Sequence, residues 1–170
     1  MKKIIWIVGP SASGKETFIR YALENNSIHK LFNWKGVVSA SQESLKNTGA
    51  YDEDPVIKQR ENILEEVVEL TKKSDIVLIK WQYVDSKKDR PERLKALLTR
   101  ARHSAIILQV DKADLKIQRQ SKIWVKDNGN SDQVIELEFD YIQKFYNRFK
   151  ENFPVTFVRN DGHGGYKILP

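Results

Sequence analysis

Residues 3–17 read KIIWIVGPSASGKET: an apolar run stops at Gly9 and Pro10, four residues separate Gly9 from Gly14, and Lys15 follows directly. The run is short and rich in β-branched residues, which predicts a buried strand, and Phe18, Tyr21 and Ala22 then recur at helical spacing, which predicts a helix opening where the loop ends. A strand, a Gly-x-x-x-x-Gly-Lys loop and a helix start together make a phosphate-binding arrangement. Successive backbone N–H groups turn inward as an anion nest, the helix adds its positive end, and the lysine reaches the outer phosphates. Gly9, Ser11, Ala12, Ser13, Gly14, Lys15, Glu16 and Thr17 are therefore the expected nucleotide-binding residues. A plain strand-to-helix turn would leave the charge of Lys15 without a structural purpose.

One position departs from the pattern. Where Ser or Thr would follow the lysine and serve a metal ion, the chain has Glu16, with Thr17 one place later. Either Thr17 supplies the hydroxyl to Mg²⁺ while Glu16 faces solvent, or water and substrate oxygens complete the metal shell. The run GPSASGKET resembles the loop of the nucleoside monophosphate kinase superfamily. Guanylate kinases there begin GPSGxGK, adenylate kinases place threonine two after the lysine, and ribose bisphosphokinases carry an acid after it. The resemblance implies ATP and Mg²⁺ as cofactors and a phosphate-accepting small molecule as substrate.

Composition sets the bounds. With 170 residues, 40% of them hydrophobic, and no repeat or low-complexity tract, the chain fits a single domain. It has no cysteine, which excludes disulfides and thiolate metal sites. The apolar start is too short for a signal-peptide core and nothing later approaches a membrane span, so a soluble, cytoplasmic protein with no membrane partner is expected. The net charge of +6, from 29 Lys and Arg against 23 Asp and Glu, favours an anionic partner, either phosphorylated metabolites or nucleic acid. The densest basic clusters, 87–93 and 112–126, contain acids as well, as solvated helix faces do.

Further strands are expected at 36–40, 75–81, 104–110 and 154–158, and helices at 55–73, from Pro91, at 111–122 and up to about 153. Asp54 and Asp111 are placed as helix caps, and Pro55 suits a first helical position. The last helix carries Phe139, Ile142, Tyr146 and Phe149 as its stripe, although Ile135, Leu137 and Phe139 alternate like a strand at its beginning. The fold class that follows is α/β, a single-domain P-loop NTPase fold with a five-stranded parallel sheet and helices on both faces. Residues 166–169 would add a small antiparallel strand, and a lid-like segment would span about 112–131.

The same resemblance implies roles outside the loop. Arg60 would hold the acceptor phosphate. Lys80 and Gln82 stand where related kinases carry an acid at a strand end, and Arg90 belongs to the same substrate side. Arg119, with Lys116 and Lys122 three residues to either side, would close over the transferring phosphate as the catalytic partner of Lys15. Asn160 and Asp161, in an Asp-Gly loop running to His163, would form the base pocket. Two departures accompany these roles: Glu136 and Glu138 fall where adenylate kinases have a lid arginine pair, and no C-terminal helix follows residue 158. Asp111, Lys112 and Asp114 resemble the guanine-specifying motif of GTPases, but the expected DxxG motif is absent. The three histidines show no ligand spacing. The expected function is ATP-dependent phosphoryl transfer to a small phosphorylated or nucleoside-like acceptor. The alternatives are a polynucleotide kinase or other nucleic-acid-linked P-loop NTPase, motivated by charge and four tryptophans, and a non-catalytic nucleotide-binding module.

Overall fold

The computed structural model describes residues 3–24, 38–41, 72, 76–81, 101–120 and 132–170. Nine elements run through them: β1 (Lys3–Val8), α1 (Lys15–Glu24), β2 (Val38–Ser41), β3 (Ile76–Trp81), β4 (Arg102–Gln109), α2 (Lys112–Gln120), α3 (Asp132–Phe149), β5 (Val155–Asn160) and β6 (Tyr166–Leu169). The strands form one sheet in the order β2-β3-β1-β4-β5-β6. The first five are parallel to their neighbours, and β6 pairs antiparallel with β5. This is the expected five-stranded parallel sheet with the extra antiparallel strand at its edge. Strand boundaries shift by one or two residues from the sequence expectation, as at Arg102–Gln109 against 104–110.

Strand β1 lies at the centre, between β3 and β4, and alternation along it divides the core in two. Ile4, Trp6 and Val8 face one layer with Val77, Ala105, Ile107, Phe145 and Phe149. Ile5 and Ile7 face the other with Phe18, Ile19, Ala22, Leu78, Ile106, Leu108 and Val158. Because Phe18, Ile19 and Ala22 belong to α1, and Phe145 and Phe149 to α3, the two helices cover opposite faces, as β-α-β crossovers in a parallel sheet require. Burying side chains of this size contributes roughly 1.5–3 kcal/mol each. Trp6 is also buried, and its indole N–H donates to Nδ1 of His103 at 3.4 Å. His103 in turn leans on Phe153 with ring centroids 5.1 Å apart.

The stripe of α3 follows the one expected in part: Phe149 is buried, and Ile142 and Tyr146 pack half-buried against the same core layer. The buried positions are Ile135, Glu138, Phe145 and Phe149, whereas Phe139 is half-buried with the Lys112 ammonium 5.3 Å from its ring centroid. A glutamate in the core-facing row broke the apolar periodicity, and Leu137, which gave the segment its strand-like alternation, is exposed. Residues 112–120 of the lid-like segment are helix α2, joined to α3 by the ion pairs Lys112–Glu136, Lys116–Asp132 and Arg119–Glu138. Residues 121–131 lie outside the described residues, as do the helix expected at 55–73, except for Lys72, which is helical, and the helix expected from Pro91 up to residue 100. Among the described residues no helix is long and apolar enough to cross a membrane.

Candidate functional site: a phosphate loop at the centre of the sheet

Parallel strands deliver their C-terminal ends to one edge, and where the order reverses around a central strand a crevice opens. That strand is β1, and residues 9–14 leave it at this edge. Ser13 N–H donates to the Pro10 carbonyl at 3.1 Å, closing a tight turn, and Phe18 N–H donates to the Gly14 carbonyl at 2.9 Å, the first bond of α1. Lys15, Glu16 and Thr17 are therefore the first turn of the helix, where N–H groups have no intrahelical acceptor and attract anions. Ala12 (φ 61°) and Gly14 (φ 86°) are both left-handed. Alternating handedness turns successive amides toward one point, which is how a backbone nest forms.

Gly9 satisfies a different demand, that of space. A Cβ built there would stand 2.5 Å from Ser13 Oγ and 3.3 Å from Leu108 Cβ, so any side chain would push the loop off β4. Ser13 Oγ is buried and meets no hydrogen-bond partner among the described residues. A hydroxyl in that state costs about 1–3 kcal/mol, which an acceptor oxygen arriving in the loop would offset. Lys15 is only 8% exposed, and its ammonium curls back over the loop to donate to the Gly9 carbonyl at 2.8 Å and the Pro10 carbonyl at 2.7 Å. A nest, an orphaned hydroxyl and a cation gathered at one helix start fit a chain of phosphates.

The metal side is sparser. Glu16 and Thr17 are both exposed on the first turn of α1, and among the described residues no three His, Asp or Glu groups converge as a metal site. Thr17 can offer one oxygen to Mg²⁺, which ordinarily keeps several waters and takes its other ligands from the phosphates.

The remaining candidates scatter. Lys80 sits at the C-terminal end of β3, in register with Ile7 of β1 and Ser41 of β2, which puts its backbone at the crevice edge. Arg60, Gln82 and Arg90 lie outside the described residues. Asp111 accepts the first bond of α2 at its carbonyl, from Leu115 N–H at 2.9 Å, while its carboxylate pairs with Arg159 of β5.

Asn160 and Asp161 build the β5–β6 turn with their own side chains. Asn160 Oδ1 accepts from Gly162 N–H at 2.8 Å; Asp161 Oδ1 accepts from His163 N–H at 2.8 Å and Gly165 N–H at 3.0 Å. Those two backbone N–H groups hold the Asp161 carboxyl below the usual range. The turn rests on α1, since a Cβ at Gly165 would stand 3.2 Å from the Tyr21 hydroxyl. Its partner strand brings in a residue the sequence did not single out. Tyr166 packs edge-on against Phe18 (5.0 Å) and tilted against Tyr21 (5.2 Å). Its hydroxyl lies 3.8 Å from where a Gly14 side chain would begin. Burial raises the pKa of this phenol.

Arg119 is placed differently from a lid cation. Its side chain is fully buried, Nε donates to the Ser11 carbonyl at 3.1 Å, and its terminal nitrogen pairs with the Glu138 carboxylate. A guanidinium cannot shed its proton, so in the interior it must be paired and hydrogen-bonded, and Glu138 with Ser11 does this. Nothing local in the sequence could join residues this far apart.

No family model matches the chain, and no curated protein matches it in sequence. Solved structures do. The chain is similar to a protein of the PezAT chromosomal toxin-antitoxin system of Streptococcus pneumoniae, with a TM-score of 0.60 at 16% identity over 100% of this chain and 71% of that one. It is also similar to a gluconokinase from Sinorhizobium meliloti 1021, with a TM-score of 0.51 at 12% identity over 93% of this chain and 82% of that one. What is shared at these identities is the fold alone, the α/β fold of P-loop proteins built on a parallel sheet.

Proposed function

We propose that this chain transfers a phosphoryl group from ATP to a small phosphorylated or nucleoside-like acceptor, in the cytoplasm. One observation carries the proposal: Lys15, the buried Ser13 hydroxyl and the left-handed pair Ala12 and Gly14 converge at the C-terminal edge of the central strand. The likeness of fold to a gluconokinase supports the choice of a kinase among P-loop proteins. When bound, ATP would supply the γ-phosphoryl group and Mg²⁺ would shield its charge.

The chain's part in such a transfer is positioning and electrostatics. The loop amides and the start of α1 orient the phosphates. The Lys15 ammonium, now shared between two loop carbonyls, is already within the loop and needs only to exchange those acceptors for phosphate oxygens. The Ser13 hydroxyl adds a donor, and Thr17 a single oxygen for the metal. Tyr166, with Phe18 and Tyr21 behind it, flanks the loop beside Gly14.

Calorimetry with ATP and Mg²⁺ tests the site. Lys15→Ala removes a charged hydrogen-bond donor and should weaken binding by about ten- to a thousandfold while the protein stays folded. The acceptor is tested by supplying ATP with nucleoside monophosphates, nucleosides, sugar phosphates and 5′-hydroxyl oligonucleotides, and following ADP and the phosphorylated product. Turnover on one small-molecule class, lost in the Lys15 variant, is the expected result. Phosphorylation of oligonucleotides alone would make this a nucleic-acid kinase. Binding of ATP with no acceptor raising ADP formation would make it a nucleotide-binding module, and unchanged affinity in the Lys15 variant would remove the site.

A further inference from the structure

Arg119 and Glu138 take no part in the phosphate contacts proposed above, yet both are charged and buried. Taking a guanidinium and a carboxylate out of water costs several kcal/mol per ion before their mutual attraction is counted, and an apolar pair of the same volume often serves stability as well or better. Their retention calls for something an apolar pair could not do. The structure shows one such thing: Arg119 Nε holds the Ser11 carbonyl at 3.1 Å.

Ser11 immediately precedes Ala12, the non-glycine residue of the loop with φ of 61°. The peptide unit between them is planar and trans, so its N–H points opposite to its C=O. Fixing the Ser11 carbonyl on Arg119 therefore fixes the direction of the Ala12 amide, one of the N–H groups the nest depends on. A left-handed alanine is itself unfavourable and persists only where its surroundings over-determine it. Glu138 completes the arrangement from α3 by pairing with the guanidinium, so that three parts of the chain, the loop after β1, α2 and α3, meet at one charge pair.

We infer that Arg119 and Glu138 are a positioning pair for the phosphate loop: Glu138 orients the guanidinium, the guanidinium holds the Ser11 carbonyl, and the loop's amides are thereby set before any nucleotide arrives. The effect on ATP rests on the phosphotransferase reading. The effect on the loop does not.

The informative variant combines Arg119→Met with Glu138→Leu, which removes both charges and leaves neither unpaired in the interior. Two measurements are made on it and on the wild type, hydrogen exchange of the amides of residues 11–15 and calorimetry with ATP and Mg²⁺. The double variant should unfold cooperatively like the wild type, yet exchange its loop amides about tenfold faster or more, with β1 amides unchanged. Its ATP affinity should fall by about ten- to a hundredfold, the usual size of a small misplacement in a positioned site. Arg119→Lys keeps the charge but gathers its donors on a single nitrogen, which cannot stand both where Nε meets the Ser11 carbonyl and where the terminal nitrogen meets Glu138, and it should not restore loop protection. Glu138→Gln, which keeps an acceptor oxygen, supplies the same exchange readout if the double variant does not fold. Unaltered loop exchange in these variants overturns the inference, whatever happens to ATP. A wild type that fails to bind ATP overturns the phosphotransferase reading, and the exchange result then decides the positioning role by itself.

Discussion

Ala12 is the clearest case of a residue at odds with its conformation. Its φ of 61° places it in the left-handed region, where a Cβ crowds the following carbonyl at a cost of about 1–2 kcal/mol. The similar loop of guanylate kinases has glycine at this place, so the geometry does not need the methyl group. Ala12→Gly should stabilise the fold by about 1 kcal/mol, the relief of strain being partly offset by the greater freedom of glycine in the unfolded chain. Denaturant unfolding measures this directly, and a destabilised variant would mean that the methyl group makes contacts worth more than the strain. Gly9 is the converse: its φ is ordinary, but Ser13 Oγ occupies the space its side chain would take.

The β5–β6 hairpin shows what an element can owe to a single carboxylate. Asp161 Oδ1 accepts from two backbone N–H groups, and these, more than any charge, lower its pKa. A carboxyl whose folded pKa lies below its unfolded value contributes stability that is present above the unfolded value and lost as the pH falls through the folded one. Asp161→Asn should therefore melt at a lower temperature than the wild type near neutral pH, and the two should converge in acid, once the pH has dropped below the usual carboxylate range. A gap that stays constant with pH would show that the turn depends on shape alone. Since the hairpin carries Tyr166 against Phe18 and Tyr21, loosening it should also reach the phosphate loop's flank.

Taken whole, the described residues make two core layers around one strand, and the layers have different duties. The layer under α1 shapes the phosphate loop, while the layer under α3 is built from aromatic contacts, with Phe145 and Phe149 stacked at 5.0 Å and Phe149 and Phe153 at 4.7 Å. Phe149→Ala should cost about 3–5 kcal/mol of stability through the cavity it leaves. The folded variant should still bind ATP as the wild type does, because Phe149 lies on the far side of the sheet from α1. Chemical denaturation and calorimetry on the same sample separate the two effects, and a loss of affinity in the folded variant would mean that the layers are coupled, through β1 or through Glu138 of α3.

The strand-loop-helix at residues 3–24 could be read from the order of its residues because everything that makes it is local. A β-branched run, two glycines at a fixed interval and an apolar face every three or four residues each act within a few positions, and the hydrogen bonds they imply are near in sequence. The parallel sheet and its antiparallel edge strand followed from the same periodicities. The partners of the site's buried polar groups did not. Arg119 reads as a lid cation over the transferring phosphate and Glu138 only as a departure from a lid arginine, until packing brings the first to Ser11, 108 residues away, and the second to it from α3. The orphaned Ser13 hydroxyl and the contacts of Tyr166 with Phe18 and Tyr21 depend likewise on which elements end up side by side. Spacing along a chain encodes backbone conformation, but the company a buried polar group keeps is set by the fold, because burial removes water as its default partner and only a distant segment can replace it.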